Sequence, residues 1–379
     1  MMTFALWAAA TFCGLALAVH LGSIAIAIVR CRVPARELVP PSEPPPVTII
    51  RPACGIDNFV ESTLRSTFAL NYPNYEVLFC VASASDPVVA LIRGLIDEHP
   101  TVRAQLLIGD ERISANPKLN NVLKGWRAAA HDRIVMTDSN VLLPRDYIQR
   151  LLASWRPDTG LVSAPPVGSH PQGFWAQIEC AFLNTYQARW QYTADTLGLG
   201  FAQGKTLFYR RSDIEAAGGL RALAAEAAED AATTKIVRES GRRVRLVDAP
   251  FRQPLGTRGR RDVWDRQVRW ARLRRDSFPS FYCLELTSGA ALPLVAVAVL
   301  AAATGYSAIA AGAVFVALWY GAEMLLAATA GWHLPLLYPL HAMLRDAMLP
   351  VLWIEGWRTG GFVWRGSAMS VDDGRVAPN

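Results

Sequence analysis

The sequence predicts a mostly parallel α/β domain set between apolar helical segments long enough to cross a bilayer. Three observations carry this. Residues 3–29 hold no formal charge and exceed the roughly 20 apolar residues that a spanning helix needs. From Val47 to Arg275 short β-type runs alternate with helical patterns, as in parallel strands covered by helices. Beyond Phe281 the chain turns apolar again. Composition agrees: 379 residues, 52% apolar and 18% charged, are enough for two domains but too apolar for one soluble globule.

Taken in order, residues 1–30 read as an amino-terminal membrane anchor. Its positive charges, Arg30, Arg32 and Arg36, follow the apolar stretch, which argues against a cleavable signal and places the next domain in the cytosol. The bland alternative is a buried core helix, which rarely stays uncharged for this length. Residues 31–46 form a linker whose Pro40-Pro41-Ser42-Glu43-Pro44-Pro45-Pro46 is a stiff polyproline-like spacer. The domain at 47–275 has strands expected at 47–51, 76–82, 104–108, 133–137 and 160–164. Residues 276–282 make an interfacial segment, and 283–357 a carboxy-terminal membrane region with spans at 283–303 and 306–330. The stretch 332–357 contains Pro335, Pro339, Pro350, Arg345, Asp346 and Glu355, so it is expected to be a broken or re-entrant helix rather than a clean span. Arg358 and Arg365 assign the tail, 358–379, to the cytosol.

The net charge is +6, and Arg238–Arg275 alone carries thirteen arginines against Glu239, Asp248, Asp262 and Asp265. That concentration excludes a generally basic nucleic-acid coat and points to one cationic face toward an anionic ligand or anionic lipid. Six cysteines without a CxxC pair imply neither a zinc site nor a disulfide framework.

Ligands of parallel α/β sheets sit at the carboxyl ends of strands, so polar residues just after strand patterns are the candidates. Asp86, Asp138 (with Asn140 two residues on) and the pair Glu229-Asp230 satisfy or approach that rule. A carboxylate so placed can hold a divalent metal that bridges the phosphates of a nucleotide. Each is also of the residue type that caps helices and fills turns. Arg266 and Arg269, at i and i+3 beside Trp270, share a helix face and can grip a diphosphate by forked hydrogen bonds. The competing reading is a membrane-surface helix, which Arg272, Arg274 and Arg275 keep open.

The order Asp86, Asp138, Asp230 and Arg266-Gln267-Val268-Arg269-Trp270 resembles the D, D, D, (Q/R)xxRW signature of membrane-bound GT-A glycosyltransferases. Adding Ser85-Asp86-Pro87, Asn116-Pro117-Lys118-Leu119-Asn120-Asn121, Ala228-Glu229-Asp230 and Trp357-Arg358-Thr359-Gly360, the chain is similar to the ceramide glucosyltransferases over nearly its whole length. The resemblance implies a GT-A domain, Rossmann-like with a mostly parallel sheet, that moves glucose from UDP-glucose to the primary hydroxyl of ceramide with inversion. It implies Asp138, with Asn140 as a neutral second ligand, for Mg²⁺ or Mn²⁺. Asp86 would hold the uridine or ribose, and Asn116, Lys118, Asn120, Asn121, Arg266, Arg269 and Trp270 would contact the donor. The bland alternative for the asparagines is capping. Asp230 would be the general base, with either the proximity of Glu229 or partial burial raising its basicity. Trp270 is also a candidate acceptor contact, as is Gln187, which stands where animal members carry a histidine.

The implied partners are a UDP-sugar, ceramide or a similar lipid, and the membrane, with no nucleic acid; the catalytic domain faces the cytosol, in a bacterial inner membrane. The sequence leaves open another lipid acceptor, such as a hopanoid or diacylglycerol, and another donor sugar. Two rivals stand beside it. One is a processive polysaccharide synthase, for which the spans offer little material to build a pore. The other is a non-enzymatic membrane protein that only binds nucleotide or lipid.

Overall fold

The computed structural model describes residues 2–32, 36–358, 362–364 and 367–369, with only the backbone at 2–3 and in the last two segments. Thr359, Gly360, Arg365 and most of the 358–379 tail therefore lie outside the described residues. In chain order, α1 (Met2–Arg30) is followed by β1 (Val47–Ala53), α2 (Val60–Arg65), β2 (Tyr75–Val81), α3 (Val88–Glu98) and β3 (Arg103–Ile108). Next come α4 (Pro117–Ala128), β4 (Arg133–Thr137), α5 (Tyr147–Ala153), β5 (Thr159–Ser163) and β6 (Pro166–Gln172). Then follow α6 (Phe174–Ala181), a π-helical stretch (Phe182–Ala188), α7 (Arg189–Thr196), β7 (Thr206–Arg210) and α8 (Arg211–Ala216). The chain continues through α9 (Glu229–Glu239), β8 (Arg243–Leu246) and β9 (Phe251–Thr257). Then come α10 (Arg260–Ser277), α11 (Pro279–Glu285), α12 (Ala291–Ala303), α13 (Ala308–Thr329) and α14 (Tyr338–Trp357), followed by the antiparallel pair β10 (Phe362–Trp364) and β11 (Ser367–Met369).

Two compact units result. Among the described residues the sheet unit comprises 36–169 and 194–256, and the helical unit 2–32, 170–193 and 257–358.

In the sheet unit seven strands run in the order β3-β2-β1-β4-β7-β5-β8. β1, β2, β3 and β4 are parallel, β5 and β8 are parallel, and β7 runs antiparallel to both β4 and β5. β1, β2 and β4 are rich in apolar residues and buried on both faces, as helix-covered strands must be. Ile50, Leu78, Ile134 and Leu207 meet α4 and α9 residues on one side; Val47, Val135, Tyr147 and Phe208 form a second core. The chain winds outward from β1 through β2 to β3, then returns to β4 on the other side of β1. The switch point thus falls between β1 and β4, where a ligand crevice opens at the strand ends. The reversed β7 was not legible in the sequence, nor were β9 and the four-residue β8, whose apolar pattern Arg243 and Arg245 interrupt.

In the helical unit Phe4–Arg30 and Ala308–Thr329 are long and apolar enough to cross a bilayer. Large apolar side chains stand bare on their surfaces: Phe4, Trp7 and Leu15 on α1, Ile309, Val314 and Leu318 on α13. Such faces suit lipid rather than water, and they are those of a membrane-associated protein. Two expectations need correction. The apolar stretch 283–303 is not one span: α11 stops at Glu285 and α12 starts at Ala291, because the Asp346 carboxylate accepts the Ala290 N–H at 3.0 Å and anchors the break. The stretch 332–357 is not broken at its charges. Tyr338–Trp357 is one helix with Pro350 inside it, since Arg345 and Asp346 are paired within the unit.

Candidate active site

In the sheet unit Asp86 and Asp138 follow strand ends, while Glu229 and Asp230 open a helix; Lys118 brings Asp138 and Glu229 together. Asp86 lies in the loop after β2, and both its oxygens accept the Gly55 N–H of the loop after β1, at 3.0 and 2.9 Å. Gly55 has φ +68, a left-handed conformation that favours glycine. Asp86 also accepts the Val88 N–H at 2.9 Å at the start of α3, so it joins the loops after β2 and β1.

Asp138 directly follows β4. Lys118 Nζ lies 2.7 Å from its Oδ1 and Lys205 Nζ 2.8 Å from its Oδ2, while Asn140 Oδ1 accepts from Lys205 at 3.1 Å. Burial pushes the Asp138 carboxyl upward, but the two ammonium groups outweigh it and hold it well below the usual carboxylate range. Lys118 in turn meets Glu229 Oε1 at 2.7 Å and donates to the Gly204 carbonyl at 2.6 Å. Burial lowers its affinity for a proton, but Asp138 and Glu229 keep it above its ordinary value.

Glu229 and Asp230 open α9, where carboxylates favour the helix dipole. Asp230 Oδ2 accepts the Gly204 N–H at 2.8 Å and Oδ1 the Ala231 N–H at 2.8 Å. Burial first, and the Glu229 charge second, raise the Asp230 pKa to about 6, against the two N–H groups and Lys118. That carboxyl changes protonation near neutrality, as a general base at working pH requires.

The asparagine string has definite protein partners. Asn116 is the N-cap of α4, its Oδ1 accepting from Lys118 N and Leu119 N, and its Nδ2 donates to Glu229 Oε2 at 2.9 Å. Asn120 fastens the preceding loop through Ile113 N and Ser114 N, both at 3.0 Å. Asn121 Nδ2 donates to the Cys80 carbonyl of β2 at 2.8 Å. The string therefore ties α4 to β2 and to the Glu229 carboxylate.

In the helical unit Arg266 pairs with the buried Glu179 of α6, which Arg258 also approaches at 3.8 Å. Its guanidinium lies 6.0 Å from the Trp270 ring centre, and Arg269 and Trp270 are half-buried. Gln187, on the π-helical stretch, donates to Gln267 at 3.4 Å. Such π-helical insertions recur at functional sites.

Three residues of the site were not read from the sequence. Lys205 reaches Asp138 because Thr206 pairs with Thr137 across the antiparallel β4/β7 register. Gly204 leaves no room for a side chain, since a Cβ there would lie 2.7 Å from Glu229 Oε1. Arg51, fully buried at the end of β1, donates to the Val141 carbonyl at 2.5 Å and to the Ser139 carbonyl at 3.4 Å, and so supports the turn that carries Asp138. The available signals were a short apolar run after Gly204-Lys205 and one arginine inside an otherwise apolar strand.

Among the described residues no group of three or more Asp, Glu, His or Cys is arranged around a metal. Asp138 and Asn140 nonetheless offer two hard oxygens at the strand end. That set fits Mg²⁺ or Mn²⁺ if substrate phosphates complete the coordination.

The fold is that of a mannosyltransferase from Pyrobaculum calidifontis solved with GDP-Man and Mn2+, which aligns with a TM-score of 0.52 at 19% identity over 91% of this chain and 96% of that one. The sheet and its topology are those of a GT-A glycosyltransferase fold. The model of glycosyl transferase family 21 matches residues 15–377, and the chain belongs to that family. Ceramide glucosyltransferase 1 of Caenorhabditis elegans is 28% identical over 243 residues, 64% of this chain and 52% of that protein. The ceramide glucosyltransferase of Candida albicans is 42% identical over 120 residues, 28% of this chain and 22% of its own length. The chain thus spans about half the length, or less, of the curated relatives it matches.

Proposed function

We propose that this protein transfers glucose from UDP-glucose to the primary hydroxyl of ceramide, with inversion, at the cytosolic face of a bacterial inner membrane. The observation that carries the reading is Asp230, a carboxyl raised to about 6 beside a strand-end cluster of two lysines and two further carboxylates. The names of the family relatives supply the substrate class, and the bare apolar helices supply the membrane.

In this reaction Asp230 takes the proton of the lipid O–H as that oxygen attacks the anomeric carbon. A new C–O glycosidic bond forms, the bond from the anomeric carbon to the UDP oxygen breaks, and UDP leaves with the electron pair. One base suffices, and no covalent intermediate is required. Lys118 fixes Glu229 and Asp138 in register, so the base and the leaving-group end of the crevice hold their spacing. Asp86 and the Gly55 turn would receive the uridine end. A divalent cation held by Asp138 and Asn140 would neutralise charge on the diphosphate. For Arg269 and Trp270 the (Q/R)xxRW motif supports substrate contacts, to be checked by Trp270→Ala.

The test incubates the full chain in detergent with a panel of UDP-sugars and short-chain ceramide, following UDP release and lipid mass together. The expected result is a ceramide-dependent hexose increment with UDP-glucose that is lost in Asp230→Asn. UDP release with no ceramide adduct would overturn the acceptor and send the search to hopanoids or diacylglycerol; UDP binding with no turnover on any lipid would leave a nucleotide-binding membrane protein.

A further inference from the structure

We propose that Lys205 is a ligand of the nucleotide diphosphate, and that by sharing Asp138 with any divalent cation it sets how far nucleotide binding depends on metal. This rests on the UDP-sugar reading above.

The two lysines on Asp138 are not equivalent. Lys118 has three ammonium hydrogens and three acceptors, Asp138 Oδ1, Glu229 Oε1 and the Gly204 carbonyl, at 2.7, 2.7 and 2.6 Å. Its side chain is 9% exposed, so it is a tie inside the protein. Lys205 enters from the other side, on the turn that opens β7, and its side chain is 18% exposed. It contacts Asp138 Oδ2 and Asn140 Oδ1, the two atoms that would hold the cation.

That placement has two consequences. A cation approaching Asp138 meets an ammonium already within hydrogen-bond distance of the same oxygen, and like charges there repel. Metal alone is therefore disfavoured, and it enters best with a diphosphate that adds negative charge. The same diphosphate attracts Lys205, whose four-carbon stem lets the ammonium swing from Asn140 onto a phosphate oxygen. Lys205 thus offers the leaving diphosphate a positive charge that comes from the chain itself.

The test measures UDP binding calorimetrically to the full chain in detergent, in EDTA and in saturating Mn²⁺, and Mn²⁺ binding alone by electron paramagnetic resonance. Lys205→Met is expected to weaken UDP in EDTA by about tenfold or more, as loss of one charge-assisted hydrogen bond does, and to weaken it much less in Mn²⁺. Mn²⁺ alone should bind Lys205→Met more tightly than the parent. Lys205→Arg, which keeps the charge, should retain UDP binding in EDTA and control for folding. Equal loss with and without Mn²⁺, or no loss in EDTA, overturns the inference while the parent still binds UDP. Absence of UDP binding to the parent in both conditions overturns the nucleotide reading and this inference with it.

Discussion

Both units bury a cluster of charges, and the two clusters differ in what their carboxylates are free to do. In the helical unit Arg345 donates to both oxygens of Glu323, to Asp346 and to Thr185. Tyr338 donates to Glu323 at 2.7 Å and Tyr320 to Asp346 at 3.0 Å. Every carboxylate there has a strong donor, and Glu323 and Arg345 are wholly buried. In the sheet unit the Lys118 network fixes Asp138 and Glu229, but among the described residues Asp230 accepts from two backbone N–H groups and sits against the Glu229 charge. The first cluster is saturated and holds helices together in an apolar setting. The second withholds a cation from one carboxyl, and that carboxyl is the one left able to take a proton near neutral pH. Compensation makes a buried charge structural; incomplete compensation makes it reactive.

The largest effect that would break this contrast is on turnover. Asp230→Asn should lower kcat by about 10²–10⁴-fold, the worth of a positioned general base, while UDP binding persists; a mutant that keeps its rate sinks the assignment. Arg345→Met should instead act on stability, removing the partner of two buried carboxylates at a cost of about 3–5 kcal/mol, seen as a lower melting temperature in detergent. If melting is unmoved, the saturated cluster is not what holds α13 to α14.

A smaller effect sharpens the comparison through pH. Turnover should rise as pH passes about 6 and level off above it, because the base acts deprotonated. Glu229→Gln removes a charge that raises the Asp230 pKa, so the midpoint should move down; a midpoint that stays or moves up contradicts the electrostatic reading. Stability runs the other way for this group. A carboxyl with a raised folded pKa favours folding while protonated, and the contribution is lost as pH rises through about 6. Asp138, held low by its lysines, contributes above its unfolded value and loses that contribution on acidification.

The smallest expected change concerns the asparagine string. Asn121→Ala leaves the buried Cys80 carbonyl without its donor, a loss of about 1–3 kcal/mol. If Asn121 serves only as this tie, KM for UDP-glucose should stay put once the protein is folded. A clear rise in KM with little change in melting would instead assign it to the donor.

Much was legible locally. Charge-free length marked α1, alternation marked the α/β domain, and the D, D, D succession marked two residues that follow strands and one that opens a helix. Asn116 was readable both as a cap and as a site residue, and its two ends serve the cap and the Glu229 carboxylate. Lys205 escaped because its meaning depends on Asp138, 67 residues earlier, through an antiparallel register that no local pattern encodes. Arg266 read as free to grip phosphate because its partner Glu179 lies 87 residues away, beyond any local pattern.

The sequence by itself determined which segments shun water, which form strands, and which side chains carry charge, because periodicity and hydropathy are properties of neighbouring residues. Only the tertiary structure decided which charges neutralise one another. Coulomb energies and desolvation depend on separations of a few ångströms between residues far apart in the chain, and those separations set Asp138 low, Asp230 high and Lys118 as the tie between them.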